Sequence, residues 1–164
     1  MSVPRIIVVT LVAGLTAVAS AIGAPSGEIT FRTIAHASAS GAKPKRPTVI
    51  VAVDANATPS IAALLKEADA QRVKQVDLRI HALVAVFAGA KPSSGYAITV
   101  RRLVLRAGTL RVVVAQHAPA PGSYTLPALT RPYHVVEIAR TPARGVEHWV
   151  LVTSRGRVLA RSSI

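Results

Sequence analysis

Apolar and polar residues alternate at every second position over much of the chain beyond residue 27, which is the period of half-buried strands. Ile29, Phe31 and Thr33 alternate with Thr30, Arg32 and Ile34, predicting a first strand over residues 28–35. TVIVAVD (48–54) is a short β-branched run and reads as a largely buried strand. The period then changes. Thr58 is placed to cap a helix with Pro59 at its first position, and Ile61, Leu64, Leu65 and Ala68 form one apolar stripe. Residues 80–88 are apolar enough for a central strand. Residues 96–106 and 109–117 read as a hairpin around Ala107-Gly108. That register puts Leu103 and Leu105 on one face with Leu110, Val112 and Val114, and Arg102, Arg106 and Arg111 on the other. A further strand is expected at 134–139, and 149–152 is expected to pair with 157–160 across Arg155-Gly156. The pattern predicts a mainly β fold with one helix (α+β), a small antiparallel sheet or sandwich. Ile61, Leu64 and Leu65 are expected to pack on a sheet that includes Val84, Val86, Leu103, Leu105, Val112 and Val114.

The N-terminus has a different character. Arg5 precedes the apolar run IIVVTLVAGLTAVA, and Ala19-Ser20-Ala21 supplies a small-residue cleavage site. Pro25 argues against a later cut after Ala24. The run sits near the lower limit of about 17 residues for a membrane span and is interrupted by Gly14, Thr16 and Ser20. Residues 1–21 are therefore read as a cleaved signal peptide, with an uncleaved anchor as the alternative. Residues 22–27 form a linker, 28–140 a β-rich domain and 141–164 a C-terminal hairpin extension. On either reading the domain is extracytoplasmic.

Composition narrows the chemistry. The 164 residues carry 20 Lys+Arg against 7 Asp+Glu, a net charge of +13, which suits a chain meeting anionic surfaces. There is no Cys, so disulfides, thiolate metal sites and thiol nucleophiles are excluded. The histidines at 36, 81, 117, 134 and 148 never reach HxH or HExxH spacing. Asp54, Asp77 and Glu137 stand isolated. Ser93-Ser94-Gly95 leads into a strand, whereas a nucleophile elbow leads into a helix. No phosphate loop is present. The expectation is a protein that is not an enzyme and holds no metal or cofactor.

Two loops stand out. GAKPSSGYAITV (89–100) packs Gly, Pro and Ser into a turn directly before a strand, and PAPGSYTLPALTRPYHVVEIAR (119–140) opens on Pro and Gly and closes on another strand. Gly89, Lys91, Pro92, Gly95 and Tyr96 in the first, with Thr130, Pro132, Tyr133, His134, Val135, Val136 and Ile138 in the second, make the chain resemble the PrcB-type protease-complex subunits, specifically their C-terminal domain. FRTIAHASASG (31–41) is similar to that family's entry segment, and Val76-Asp77 stands where members carry an acidic residue. Ser93-Ser94 replaces the family's commoner Thr-Gly, and residues from Thr141 onward fall outside the likeness. A fainter resemblance runs to chagasin-type inhibitors of cysteine proteases. Lys91–Tyr96 is similar to their N-P-T-T-G-Y wedge loop and Arg131-Pro132-Tyr133 to R-P-W, while their glycine-rich loop has no counterpart.

The resemblance implies a secreted, non-catalytic module that binds a protease and stabilises or inhibits it. Pro92, Ser93, Ser94, Gly95, Tyr96, Arg131, Pro132, Tyr133 and His134 are the candidate partner-binding residues. The two motifs are expected to meet at one end of the sheet, with Arg131 as an exposed contact. For Tyr96 and Tyr133 a place in the core competes with a contact role, and His134 at the start of a strand reads as a satisfied edge histidine rather than a switch. The alternative function is an envelope-associated domain that binds anionic polymers or surfaces through Arg102, Arg106, Arg111, Lys43, Lys45 and Arg46. No specific nucleic acid is expected as a partner, and a membrane only if the N-terminal segment stays attached.

Overall fold

The computed structural model describes residues 27–39 and 44–163. The expected signal peptide, most of the linker and Lys43 lie outside the described residues. The elements, in order, are β1 (Gly27–Ile29), β2 (Phe31–Ala39), β3 (Thr48–Ala52), α1 (Thr58–Ala62), α2 (Glu67–Lys74), β4 (His81–Phe87), β5 (Ala97–Arg106), β6 (Thr109–His117), β7 (Arg131–Ala139), α3 (Arg140–Ala143), β8 (His148–Thr153) and β9 (Val158–Ser163). They build a five-stranded sheet in the order β1-β5-β6-β8-β9 and a four-stranded sheet in the order β2-β7-β4-β3. The mainly β fold read from the alternation is the fold observed.

The first expected strand is in fact two. β1 edges the five-stranded sheet against β5, and beyond Thr30 the chain crosses to run beside β7 as β2. β2 also continues through His36 to Ala39, beyond the expected end of the first strand at residue 35. The hairpin of β5 and β6 has the expected register, Leu105 opposite Leu110 and Arg106 opposite Thr109. β8 and β9 pair antiparallel as expected, but β8 lies parallel to β6. Parallel neighbours need a long crossover. Here the chain supplies it by leaving β6, passing through β7 in the other sheet and returning through α3. The C-terminal hairpin thus completes the five-stranded sheet.

The four-stranded sheet is covered on both faces, which is why β4 reads HALVAVF without polar alternation. Successive side chains on a strand point to opposite faces. Val84 and Val86 join Val136 and Ile138 against Leu103, Leu105, Leu110, Val112, Val114 and Leu151 between the sheets. Leu83, Ala85 and Phe87 point the other way and pack with Tyr133, Val135, Ile61 and Val73 under the helices. This corrects the expected partners of Ile61: it packs on the opposite face of β4 from Val84 and Val86.

The single expected helix is also two. Ala57 precedes the first helical residue, Thr58 lies inside α1, and α1 ends at Ala62. Lys66 then takes extended backbone (φ −65°, ψ 149°) before α2. Its N–H donates to the Tyr133 hydroxyl at 3.3 Å, while its carbonyl accepts from Asp69 and Ala70. The 3.6-residue stripe spans this break, so Leu64 and Leu65 are only partly buried and Ala68 faces solvent.

Candidate functional site

The β4–β5 turn is fixed from its first residue. Gly89 has φ +75°, and a Cβ there would lie 2.8 Å from the Arg46 carbonyl carbon, so the segment entering β3 leaves no room for a side chain. Beyond it, Lys91 and Thr130 exchange backbone hydrogen bonds of 2.8 and 2.9 Å in an isolated bridge. The Thr130 hydroxyl donates to the Ser93 carbonyl at 2.7 Å. Ser94 is bound through both its groups: its N–H donates to the Leu126 carbonyl at 3.0 Å, and its Oγ accepts from the Leu126 N–H at 2.9 Å. Gly95 turns at φ +86°, with a virtual Cβ 3.0 Å from Pro119 Cγ. Half-buried Tyr96 places its ring centroid 5.8 Å from Lys91 Nζ. Turn 91–96 and connection 118–130 are therefore one pinned unit at an end of the sandwich, where the two sequence motifs were expected to meet.

The second motif itself lies inside. Arg131 is 3% exposed, Tyr133 0% and His134 3%, and Pro132 is buried with them. The expectation of an exposed Arg131 contact is corrected, and with it a surface role for Pro132, Tyr133 and His134. β7 is a central strand, flanked by β2 and β4, with the helices over one face and the second sheet over the other. Tyr133 Oη donates to Asp69 Oδ2 at 2.6 Å, and Arg72 Nη1 holds the other oxygen of that carboxylate at 3.0 Å. Burial, together with the Asp69 carboxylate, raises Tyr133 well above the usual phenol range. His134 Nδ1 accepts from the Val100 N–H at 2.8 Å, so the ring proton sits on Nε2 and points to Thr33 Oγ1 at 2.9 Å. Burial, with His36 adding a smaller push, lowers His134 to about 4. Both side chains brace layers. Arg131 Nε and Nη1 meet no acceptor among the described residues, and nothing in the structure explains that.

Glu137, isolated in sequence, accepts from Arg32 Nη2 at 2.7 Å and lies 3.3 Å from His81 Nε2 beside a cleft of about 410 Å³. Asp77 holds the turn into β4 by accepting from the Arg79 N–H at 3.0 Å, and hydrogen bonding from Arg79 lowers its carboxyl to about 2. Among the described residues no three His, Asp or Glu side chains converge as a metal site, and no helix is long and apolar enough to cross a membrane.

The surface of the pinned unit belongs to residues that pattern reading passed over. Tyr124 is 92% exposed, Leu126 56% and Leu129 55%. They stand on the stretch stiffened by Pro119, Pro121 and Pro127. The signal lay in the quoted sequence: large apolar residues with neither the strand nor the helix period, spaced by prolines, have no buried face to occupy. Of the basic candidates, Arg102, Arg106 and Arg111 are exposed on the outer face of the five-stranded sheet, and Lys45 and Arg46 are exposed before β3.

The span from β4 to β7 contains both loops, the bridge between Lys91 and Thr130, and the His134–Val100 tie between sheets. Residues 82–139 match the PrcB C-terminal family model. The matched segment comprises β4, β5, β6 and β7, two strands from each sheet, together with the pinned unit. Residues 31–41 and Val76-Asp77, included in the likeness read from sequence, lie outside the matched span. No curated protein and no solved structure matches the chain.

Proposed function

We propose that this chain is a non-catalytic, extracytoplasmic module that docks on a protease complex through the connection 118–130. The observation that carries the reading is the exposure of Tyr124, Leu126 and Leu129 on a loop whose backbone is tied to Ser93 and Ser94. Large apolar side chains held in water by a stiff loop cost free energy that a partner's pocket returns. Little ordering entropy remains to be lost on docking, because proline and the Ser94–Leu126 bonds have already fixed the loop. The match to the PrcB C-terminal family supports a protein partner in a protease complex, and the apolar leader with its Ala19-Ser20-Ala21 site supports export. Stabilising the protease and inhibiting it both fit this surface.

A photo-crosslinking residue at position 124 tests the docking mode. Irradiation of the exported fraction should join the chain to a protease or to another subunit of its complex. A crosslink of that kind from position 111 on the outer sheet, with none from 124, would move the interface away from the loop.

A further inference from the structure

The outer face of the five-stranded sheet is built as a field of cations. Register places Val104, Arg111, Val150 and Arg161 in one row across β5, β6, β8 and β9. Arg102, Val113 and Val152 form the row on one side, and Arg106, Thr109, His148 and Ser163 the row on the other. Their neighbours Leu103, Leu105, Leu110, Val112 and Leu151 are in the core, so strand alternation turns these rows to the outer face, where Val113 and Val152 nonetheless stay buried beneath their neighbours. All four arginines are exposed.

The acids that might have balanced them are elsewhere. The ion pairs among the described residues join Arg32 and His81 to Glu137, Arg72 to Asp69, and Arg79 to Asp77. Every one lies on the four-stranded sheet, on α2 or in the turn between them. Register brings one carboxylate onto the outer face, Glu28 opposite Val104 at the β1 edge, and Glu147 lies at its rim beside Gly108. Among the described residues the ion pairs thus lie on the helix side, and Arg102, Arg106, Arg111 and Arg161 are in none of them.

The shape of the face and its side chains select the partner. Five strands at a spacing of about 4.8 Å make a surface roughly 20 Å wide. The rows hold no Phe, Tyr or Trp ring, the main stacking platforms of single-stranded nucleic acid binding. The partly exposed Val104 and Val150 between the arginines suit the boundary where lipid phosphates give way to acyl chains. We infer that this face docks on an anionic phospholipid bilayer, with Arg102, Arg106, Arg111 and Arg161 meeting lipid phosphates. This goes beyond protein docking by the loop and does not depend on it.

Cosedimentation of the full chain with vesicles of phosphatidylglycerol mixed with phosphatidylcholine, against phosphatidylcholine alone, tests the inference. The ratio of the two affinities cancels whatever the apolar N-terminal run contributes to both. At low salt the joint variant Arg102→Gln, Arg106→Gln, Arg111→Gln should lower the ratio on the order of a hundredfold, about fivefold for each arginine. The joint variant Lys66→Gln, Lys74→Gln, Arg79→Gln removes equal charge from the helix side and should leave the ratio near that of the parent. Changing the same three arginines to Lys should also preserve it, which guards against a folding defect in the Gln variant. A parent with no preference for anionic vesicles, an equal loss in both Gln variants, or a loss in the Lys variant would overturn the assignment.

Discussion

His134 Nδ1 accepts the Val100 amide hydrogen at 2.8 Å, and this bond ties β7 in one sheet to β5 in the other. Val100 sits at the irregularity in the β5–β6 register, where Arg101 has no partner. The histidine thus satisfies a buried backbone donor beside a bulge. Protonating Nδ1 would remove the acceptor and set two donors against each other.

A pH dependence follows from that bond. The folded value of His134 is lowered to about 4, from an ordinary 6.5, by burial and by His36. Between those values the unfolded chain takes up a proton that the folded chain excludes. The contribution is therefore complete above about pH 6.5 and is lost as pH falls toward 4, with a size of roughly 3 kcal/mol at about 1.4 kcal/mol per unit. Urea midpoints of the parent and of His134→Gln should converge over that range. Parallel curves would remove His134 from the pH response.

Tyr133→Phe isolates the second brace. The substitution preserves the ring packed on Phe87 but deprives Asp69 and the Lys66 N–H of their hydroxyl partner. A loss of about 1–3 kcal/mol is expected in chemical denaturation. A cost near zero would mean that water replaces the hydroxyl without penalty.

The helix layer gives a ranked pair. Ile61 is 0% exposed, whereas Leu64 is only partly buried. Ile61→Ala should cost about 2–5 kcal/mol and Leu64→Ala clearly less. The reverse order would place the helical segment differently on β4.

Ala107 occupies the left-handed region at φ +46° in the β5–β6 turn. That conformation costs a non-glycine residue about 1–2 kcal/mol, and glycine returns part of this through a more flexible unfolded chain. Ala107→Gly should therefore raise stability by roughly 0.5–1 kcal/mol in thermal or urea unfolding. A decrease would show that the alanine methyl makes a contact worth more than the strain.

Period-two patterning carried most of the fold because each face of the five-stranded sheet has one character, Leu103 and Leu105 inside and Arg102 and Arg106 outside. It was silent where a strand is covered on both sides. β7 begins at Arg131, three residues before the expected start; Tyr133 and His134 are consumed by internal bonds and do not mark a solvent face. The break between α1 and α2 depends on the Tyr133 hydroxyl, which is 67 residues away from Lys66, and no local signal carries such a contact. The meeting of the two loops was legible as paired motifs, and so were the core place of Tyr133 and the satisfied strand histidine at 134, but the burial of Arg131 was not. Arg131 looked like an interface residue by type, and Leu126 fell in neither period. Their places on a central strand and on a proline-stiffened connection decided which is buried.

The affinity of a Leu126→Asp variant for the crosslinked partner tests the central claim most directly. The Ser94–Leu126 bonds use only the Leu126 backbone, so the loop should keep its shape and the melting temperature should stay near that of the parent. Placing a carboxylate in a buried hot spot should weaken binding by roughly thirtyfold or more, corresponding to at least about 2 kcal/mol. Parental affinity in a folded Leu126→Asp chain would contradict the assignment of loop 118–130 as the docking surface.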